Sequence, residues 1–317
     1  MMTSYSGILF QLMQSLLVVL AAPLLLGWVN QCRAWLSNRS GAGLLQPYRG
    51  LRKLLHKDAV LAETASPLFR ATPYVLFGCM WLAAGVVPVL ATDLPYAPAA
   101  DVIALVGIFA LARVFLALAA MDIGTSFGTL GARREMLVAF LAEPALLMVF
   151  FTASLISHST SLSTIVETLA HSQAVIYPSL AFAALAFVMV LLAENARIPV
   201  DNPATHLELT MIHEAMILEY SARHLALIEW ASSIKLLTYF AIGIALFLPW
   251  GIVEGNNWAG LPLALGALLL KLTVAGAGLA LLETVSAKMR IFRAPEFLGT
   301  AFLLGVLGML THFLLES

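Results

Sequence analysis

Residues 175–201 read VIYPSLAFAALAFVMVLLAENARIPVD, a long apolar run that passes directly into a charged motif. The run at 175–193 is long enough to cross a hydrocarbon core of about 30 Å as a helix. Unpaired backbone groups are costly in lipid, and the run lacks the alternating pattern of membrane barrels. A transmembrane helix is therefore the structure that we predict for it.

Apolar runs of this kind recur along the 317 residues, of which 61% are hydrophobic and 11% charged. That composition is typical of a polytopic membrane protein rather than a water-soluble domain. We predict an all-α integral membrane protein that forms a single polytopic domain over residues 1–317. Its bundle of about eight transmembrane helices is expected near 7–30, 72–91, 100–121, 136–157, 175–193, 234–252, 259–282 and 297–315.

The lysines and arginines fall on one side of the predicted bundle. Of the 17, all but the deeper Arg113 and Lys271 lie in or beside the segments that follow the odd-numbered spans. By the positive-inside rule these segments face the cytoplasm, and both termini lie on the non-cytoplasmic side of the cell inner membrane. The predicted cytoplasmic loops are 31–71, 122–135, 194–233 and 283–296.

Composition also narrows the function classes. The two cysteines, Cys32 and Cys79, cannot alone build an iron–sulfur centre or a four-ligand zinc site. His206 and His213 lie about 10.5 Å apart on a helix, too far to share a metal, and no nucleophile elbow or phosphate-binding loop is present. A net charge of −1 argues against nucleic-acid binding. We expect a chain that is not catalytic alone, with its basic residues on lipid headgroups or a partner.

Charged residues within the spans are the first candidate functional groups. Counting 1.5 Å per residue places Arg113 and Glu143 roughly 10 to 14 Å from the inner ends of their spans. An isolated charge there is costly, so we predict that they pair, either as a structural ion pair or within a proton pathway. Lys271 lies near the bilayer middle and should face a polar cavity or a carboxylate.

The charged motif after residue 193 is the second candidate region. Glu194 and Arg197 are three residues apart and could form a local ion pair on one helical face. Pro199 predicts a bend, with Asp201 just after it. The segment up to 233 adds further acids in a mixed polar and apolar context, which fits either proton exchange or a docking surface. These further acids are Glu208, Glu214 and Glu219.

The eight-span layout, a loop after the first span and the charged motif after residue 193 resemble those of a known family. The loop RSGAGLLQPYR at 39–49 and the motif ENARIPVD at 194–201 resemble the membrane subunit shared by respiratory complex I, its subunit 1, and membrane-bound nickel–iron hydrogenases. The segments MDIGTSFGTLGARRE at 121–135 and NPATHLELTMIHE at 202–214 are more similar to the hydrogenase branch. Complex I subunits tend to carry closely spaced glutamates just after the Arg-x-Pro-x-Asp core, where this chain has Ala204 and His206 and keeps only Glu208.

The resemblance implies a membrane-anchor and proton-coupling subunit of a hydrogenase complex of the formate hydrogenlyase or hydrogenase 4 type. It implies hydrogenase large and small subunits, iron–sulfur proteins and antiporter-like membrane subunits as partners, with the nickel–iron centre and iron–sulfur clusters in those partners. The alternative is the quinone-site subunit of a complex I-like NADH or ferredoxin dehydrogenase. A stand-alone ion transporter, which often shows inverted repeats, is a third reading.

The resemblance also implies two sets of functional residues, neither of them catalytic or metal-binding. Residues expected in the proton path or in coupling are Glu143, Glu194, Asp201, Glu208, Glu214, Glu283, Lys271, Arg113 and Arg197. Residues expected to dock the soluble arm are Arg39, Gln46, Arg49, Lys53, Arg133, Arg134, Glu135 and Glu219.

Overall fold

The computed structural model describes residues 2–62, 64–92, 95, 101–171, 177–201, 211–253, 260–287, 289 and 293–316. The described part of the chain contains eleven α-helices and a short π-helical end at His312–Glu316. The helices are α1 at Met2–Leu36, α2 at Gln46–Leu55, α3 at Pro67–Val86, α4 at Val102–Asp122, α5 at Ser126–Ser157, α6 at Leu162–His171, α7 at Pro178–Glu194, α8 at His213–Ile217, α9 at Ala222–Phe247, α10 at Leu261–Val285 and α11 at Ala294–Thr311.

Most of the long helices are apolar enough to cross a membrane. Among the described residues, seven have the length and composition of membrane spans, namely α1, α3, α4, α5, α9, α10 and α11. The apolar helix α7 corresponds to the predicted span at 175–193 and has 17 residues, which is the lower limit for a spanning helix. The prediction of an all-α, multi-pass membrane protein is confirmed.

Two helices begin earlier than their apolar runs. Helix α5 begins at Ser126 and α9 at Ala222, whereas the predicted spans begin at 136 and 234. The first turns of both helices carry polar residues that a hydropathy pattern assigns to loops, yet some of them are buried, as His224 is in α9. The predicted loops 122–135 and 194–233 are therefore partly helical.

Hydrogen bonds between the helix ends mark the two faces of the bundle. At one end, the backbone N–H of Ser66 donates to the Asp122 carboxylate at 3.2 Å, and the Val60 N–H donates to Ser221 Oγ at 3.0 Å. At the other end, the N–H of Thr92 donates to the carbonyl of Val253 at 3.1 Å. We call the first end the basic face, because the arginine-rich segment from 37 to 66 lies there, and the second the opposite face.

Helix α9 lies at the centre of the bundle. Its apolar window is 72% buried, whereas those of α10 and α11 are 33% and 22% buried. It contacts α1, α3 and α7, and it also contacts the short helix α2, which carries exposed Arg52 and Lys53 and buries Leu51. A residue on α9 is therefore placed to reach several neighbouring helices.

Asp101 caps the start of α4 at the opposite face. Its carboxylate accepts a hydrogen bond from the N–H of Ile103 at 2.7 Å and another from the hydroxyl of Thr160 at 2.8 Å. The Thr160 hydroxyl and then the backbone donors hold the pKa of Asp101 below its usual value, because they stabilise the ionised form. The carboxylate thus joins the loop before α6 to the start of α4.

Replacing Asp101 by alanine should lower the free energy of unfolding by about 1 kcal/mol at neutral pH, because the cap is lost. The folded-state pKa is lowered, so this contribution is complete above the unfolded pKa and disappears as the pH falls through the folded value. Thermal unfolding in detergent at about pH 7 and about pH 3 measures it. An equal deficit of the variant at both pH values would contradict the role of the charge.

Candidate functional site

Five charged side chains from four helices meet inside the bundle. Arg113 of α4 lies 2.9 Å from Glu143 and 3.2 Å from Glu135, both on α5, and it also donates to Glu194 at the end of α7. Lys235 of α9 lies 3.0 Å from the Glu194 carboxylate and donates to its main-chain oxygen at 2.6 Å. We call these five residues the charge cluster.

The depth of the cluster follows from helical rise. Arg113 lies nine residues before the end of α4 at Asp122, and Glu135 lies nine residues after the start of α5 at Ser126. Both backbone positions are therefore about 13 Å from the basic face, since an α-helix rises about 1.5 Å per residue. The predicted pairing of Arg113 with Glu143 is confirmed, and Arg113 contacts two further carboxylates.

The charges of the cluster do not balance. Two cations, Arg113 and Lys235, face three carboxylates, so the net charge is −1 when all five groups are ionised. The side chains of Arg113 and Glu194 are only 3% and 1% exposed. Because uncompensated charge is costly in a buried site, the cluster favours taking up one proton. An exchangeable proton is the chemistry that this arrangement offers.

A cavity of about 60 Å³ adjoins the cluster. Four of the five cluster residues, all but Glu143, lie in its polar wall together with Asn195, His213 and Ser232. Its apolar wall comes mainly from α3 and α4. A water molecule needs roughly 10–15 Å³ of such space and two or more polar partners, so about four waters fit here. Water in this cavity would give the cluster a path for proton exchange.

His213 joins the cavity to the loop on the basic face. Its backbone N–H donates to the Asp201 carboxylate at 3.1 Å, and Arg134 donates to the carbonyl of Met211 at 2.9 Å. Burial, and next the positive charge of Lys235, lower the pKa of His213 to about 4. The imidazole is therefore neutral at pH 7, and His213 connects the Asp201 carboxylate to the cavity wall.

A second ion pair lies at the ends of α1 and α10. Glu283 lies 3.2 Å from Arg197 and 3.6 Å from Arg33. The expected local pair of Glu194 with Arg197 is wrong, since Glu194 pairs with Arg113 and Lys235 instead. The reason is that α7 ends at Glu194 and the next residues form a turn, so helical spacing no longer applies to Arg197.

Lys271 is not part of the charge cluster, and its partners among the described residues are main-chain oxygens and an aromatic ring. Its ammonium donates to the carbonyl of Leu248 at 2.6 Å and to that of Trp250, and it lies 4.1 Å from the centre of the Trp250 ring. The last carbonyls of a helix have no intrahelical donor and carry partial negative charge, which favours a cation there. Within the described part of the chain, Lys271 therefore binds the end of α9 at the opposite face and forms no ion pair with a carboxylate.

The residues predicted to dock the soluble arm divide into two groups. The exposed members, which lie in loops, on α2 or near the start of α5 on the basic face, are Arg39, Gln46, Arg49, Lys53, Arg133 and Glu219. Arg134 lies on α5, where it is partly buried and contacts the loop before α8. Glu135 lies inside the charge cluster rather than on a docking surface, because α5 begins at Ser126. Of the remaining predicted acids, Glu214 is partly buried on α8, which raises its pKa, and Glu208 lies outside the described residues.

Sequence reasoning missed Lys235 as a functional residue. The predicted span began at 234, which placed this lysine at a span edge where basic residues are common. The signal that was available is its position within a continuous helix-compatible segment, thirteen residues after Ala222. Among the described residues, no group of three or more His, Cys, Asp or Glu side chains could hold a metal ion.

The fold and the charge cluster define a class of protein, a polytopic helical membrane subunit with ionisable groups buried near one face. The chain belongs to the family described as NADH dehydrogenase, the complex I subunit 1-like family, which matches residues 5–313. The resemblance that the motifs predicted is thereby confirmed.

Three relatives define this relationship further. The chain is 34% identical to formate hydrogenlyase subunit 4 of Escherichia coli strain K12 over 299 residues, which cover 93% of this chain and 95% of that protein. It is 33% identical to hydrogenase-4 component C of the same organism over 265 residues, 83% and 82% of the two chains. A chain of the membrane-bound sulfane sulfur reductase, an archaeal respiratory membrane complex, has the same fold, with a TM-score of 0.80, 17% identity and coverage of 96% and 98%.

Proposed function

We propose that this chain is the membrane-anchor and proton-coupling subunit of a multisubunit hydrogenase of the formate hydrogenlyase or hydrogenase 4 type. The observation that carries the proposal is the charge cluster. It contains one more carboxylate than cations, which a bound proton would balance, and it adjoins a polar cavity. Homology to formate hydrogenlyase subunit 4 and hydrogenase-4 component C favours this function over a quinone-site subunit of a complex I-like dehydrogenase.

In this proposal the basic face lies in the cytoplasm and the protein in the inner membrane. The excess of arginine and lysine on that face supports the orientation. A soluble arm, built from hydrogenase large and small subunits and iron–sulfur proteins, binds the exposed residues Arg39, Arg49, Lys53 and Arg133. The arm contains the nickel–iron centre and the iron–sulfur clusters, while this chain supplies the membrane attachment.

Coupling would run through the loop before α8. A redox step in the arm changes the charge or the position of this loop, which the Asp201 carboxylate links to the backbone of His213. Because His213 lines the cavity beside Lys235, a shift there changes the electrostatic environment of the carboxylates of the cluster. The cluster then binds or releases its proton, as expected for coupled ionisable groups.

The exposure of Glu143 supports an antiporter-like membrane partner. Its side chain is 31% exposed on α5, a spanning helix, and its neighbours Leu137 and Phe140 on the same helix are 47% and 78% exposed. A carboxylate that faces lipid is costly, whereas a membrane-embedded partner with polar groups can accommodate it. The proton of the cluster would therefore leave sideways through Glu143 into that partner.

The proposal predicts that replacing Glu143 and Glu208 together by glutamine abolishes proton coupling without preventing assembly. Glutamine keeps the shape of the side chain and one accepting oxygen but cannot carry the proton. We expect proton translocation by the reconstituted complex to fall about tenfold or more, with subunit composition and electron transfer retained. Acidification of liposomes during turnover, beside the rate of hydrogen formation, measures both quantities.

The matched control is Glu296→Gln, which alters an exposed acid in the first turn of α11. This variant should translocate protons at the wild-type rate. Undiminished translocation by a fully assembled Glu143→Gln, Glu208→Gln complex would refute the proposed coupling role.

A further inference from the structure

Three aromatic rings pack together beyond the charge cluster, on the side of the opposite face. The rings of Phe109 and Tyr239 are stacked with their centres 5.0 Å apart, and the ring of Phe187 lies 6.2 Å from that of Tyr239. Phe109 and Phe187 are 2% exposed, and Tyr239 is fully buried. Three helices, α4, α7 and α9, thus contribute one ring each to a single buried layer.

Helical spacing places this layer directly over the cluster. Each ring lies one or two turns from a cluster residue on its own helix, and therefore on the same helical face. The pairs are Phe109 with Arg113, Tyr239 with Lys235, and Phe187 with Glu194. In each helix the aromatic residue is the one nearer to the opposite face, since α4 and α7 begin there and α9 ends there.

Contacts on both sides of the layer indicate that it is closely packed. Below it, the Lys235 ammonium lies 5.9 Å from the centre of the Tyr239 ring, and Phe109 is part of the cavity wall. Above it, Phe187 lies 5.7 Å from Phe247. A Cβ atom at Gly243 would lie 2.7 Å from the Phe187 ring, so glycine at this position allows that ring to pack against α9.

We propose that Phe109, Phe187 and Tyr239 form an aromatic seal that prevents water and protons from passing between the cavity and the opposite face. Closely packed aromatic rings exclude water, and a proton needs a continuous chain of water molecules or polar groups to move. The inference rests on the proposed function, because it makes the proton route of this chain lateral rather than transmembrane. The cluster then exchanges protons with the basic face and, through Glu143, with a membrane partner.

Passive proton leak tests the seal without turnover. The whole complex is reconstituted in liposomes that contain a pH-sensitive dye, a pH step is applied with no electron donor, and the decay of the gradient is followed. The wild-type complex should leak no faster than vesicles without protein. Replacing both Phe109 and Tyr239 by alanine should raise the rate of the leak about tenfold or more, because the space left by the two rings is wide enough for water.

Two control variants separate sealing from general loosening. Phe69→Ala removes an equally buried ring, stacked 3.9 Å from Tyr220 near the basic face, and should leave the leak unchanged. Tyr239→Phe keeps the ring and should also leave it unchanged. If the double alanine variant does not assemble, Tyr239→Ser carries the same test with the loss of one ring.

The outcomes distinguish this inference from the proposed function. The proposed seal is refuted if the assembled double alanine variant, or the assembled Tyr239→Ser variant, leaks protons no faster than the wild-type complex. This holds whatever the coupling activity. A leak in Phe69→Ala as large as in the double variant overturns it too. An increased leak in the seal variants alone, in a complex whose wild-type form never translocates protons, supports the seal and refutes the coupling role.

Discussion

Replacing Arg113 by methionine should destabilise the protein by about 3–5 kcal/mol, the cost of removing one partner from a buried ion pair. Methionine has a similar volume, so the loss is electrostatic rather than a cavity effect. Three carboxylates then face Lys235 alone, which changes the net charge of the fully ionised cluster from −1 to −2. Most of the cost arises from Glu194, because its side chain is only 1% exposed.

Thermal unfolding of the purified protein in detergent measures this effect. A second substitution, Glu194→Gln, should recover part of the stability of the Arg113→Met variant, since it returns the net charge to −1. Arg133→Met, at an exposed position on the same face, should change stability by no more than about 0.5 kcal/mol. A loss below about 1 kcal/mol in Arg113→Met would contradict a central role for this guanidinium.

The spans and the pairing of Arg113 with Glu143 could be predicted because they follow from general physics. A helix long enough to cross the membrane needs an apolar run, and a charge within it needs a partner at similar depth. Counting residues along two predicted helices is enough to compare depths. The second and third partners of Arg113, Glu135 and Glu194, depend on how α5 and α7 pack against α4, which a hydropathy pattern does not show.

Lys235 and Glu135 were misread for one common reason. Hydropathy locates the apolar part of a helix, whereas α5 and α9 extend ten and twelve residues beyond it to begin at Ser126 and Ala222. Both residues were therefore assigned to a loop or to the edge of a span, although each lies inside a helix and faces the protein interior. Lys271 shows a different limit, because its partners are backbone carbonyls at the end of another helix, which no side-chain pattern reveals.

Replacing Lys235 by methionine is the second substitution with a large expected effect, about 3 kcal/mol at pH 8. Glu194 loses one of its two cations, and its main-chain oxygen at the end of α7 loses its donor. The cost should be smaller at about pH 5.5, because a cluster with net charge −2 can recover part of its stability by taking up a proton. Lys235→Arg keeps the charge and should show neither the loss nor its dependence on pH.

The pH dependence of this loss decides whether the cluster can carry protons. The number of protons bound on unfolding can differ between the variant and the wild type, and the slope of their stability difference with pH is proportional to that difference. A slope that corresponds to about one extra proton in folded Lys235→Met would show that Glu135, Glu143 and Glu194 together exchange protons in the folded state. A loss of equal size at every pH would mean that the three carboxylates stay ionised, and the cluster would then hold the helices together without conducting protons.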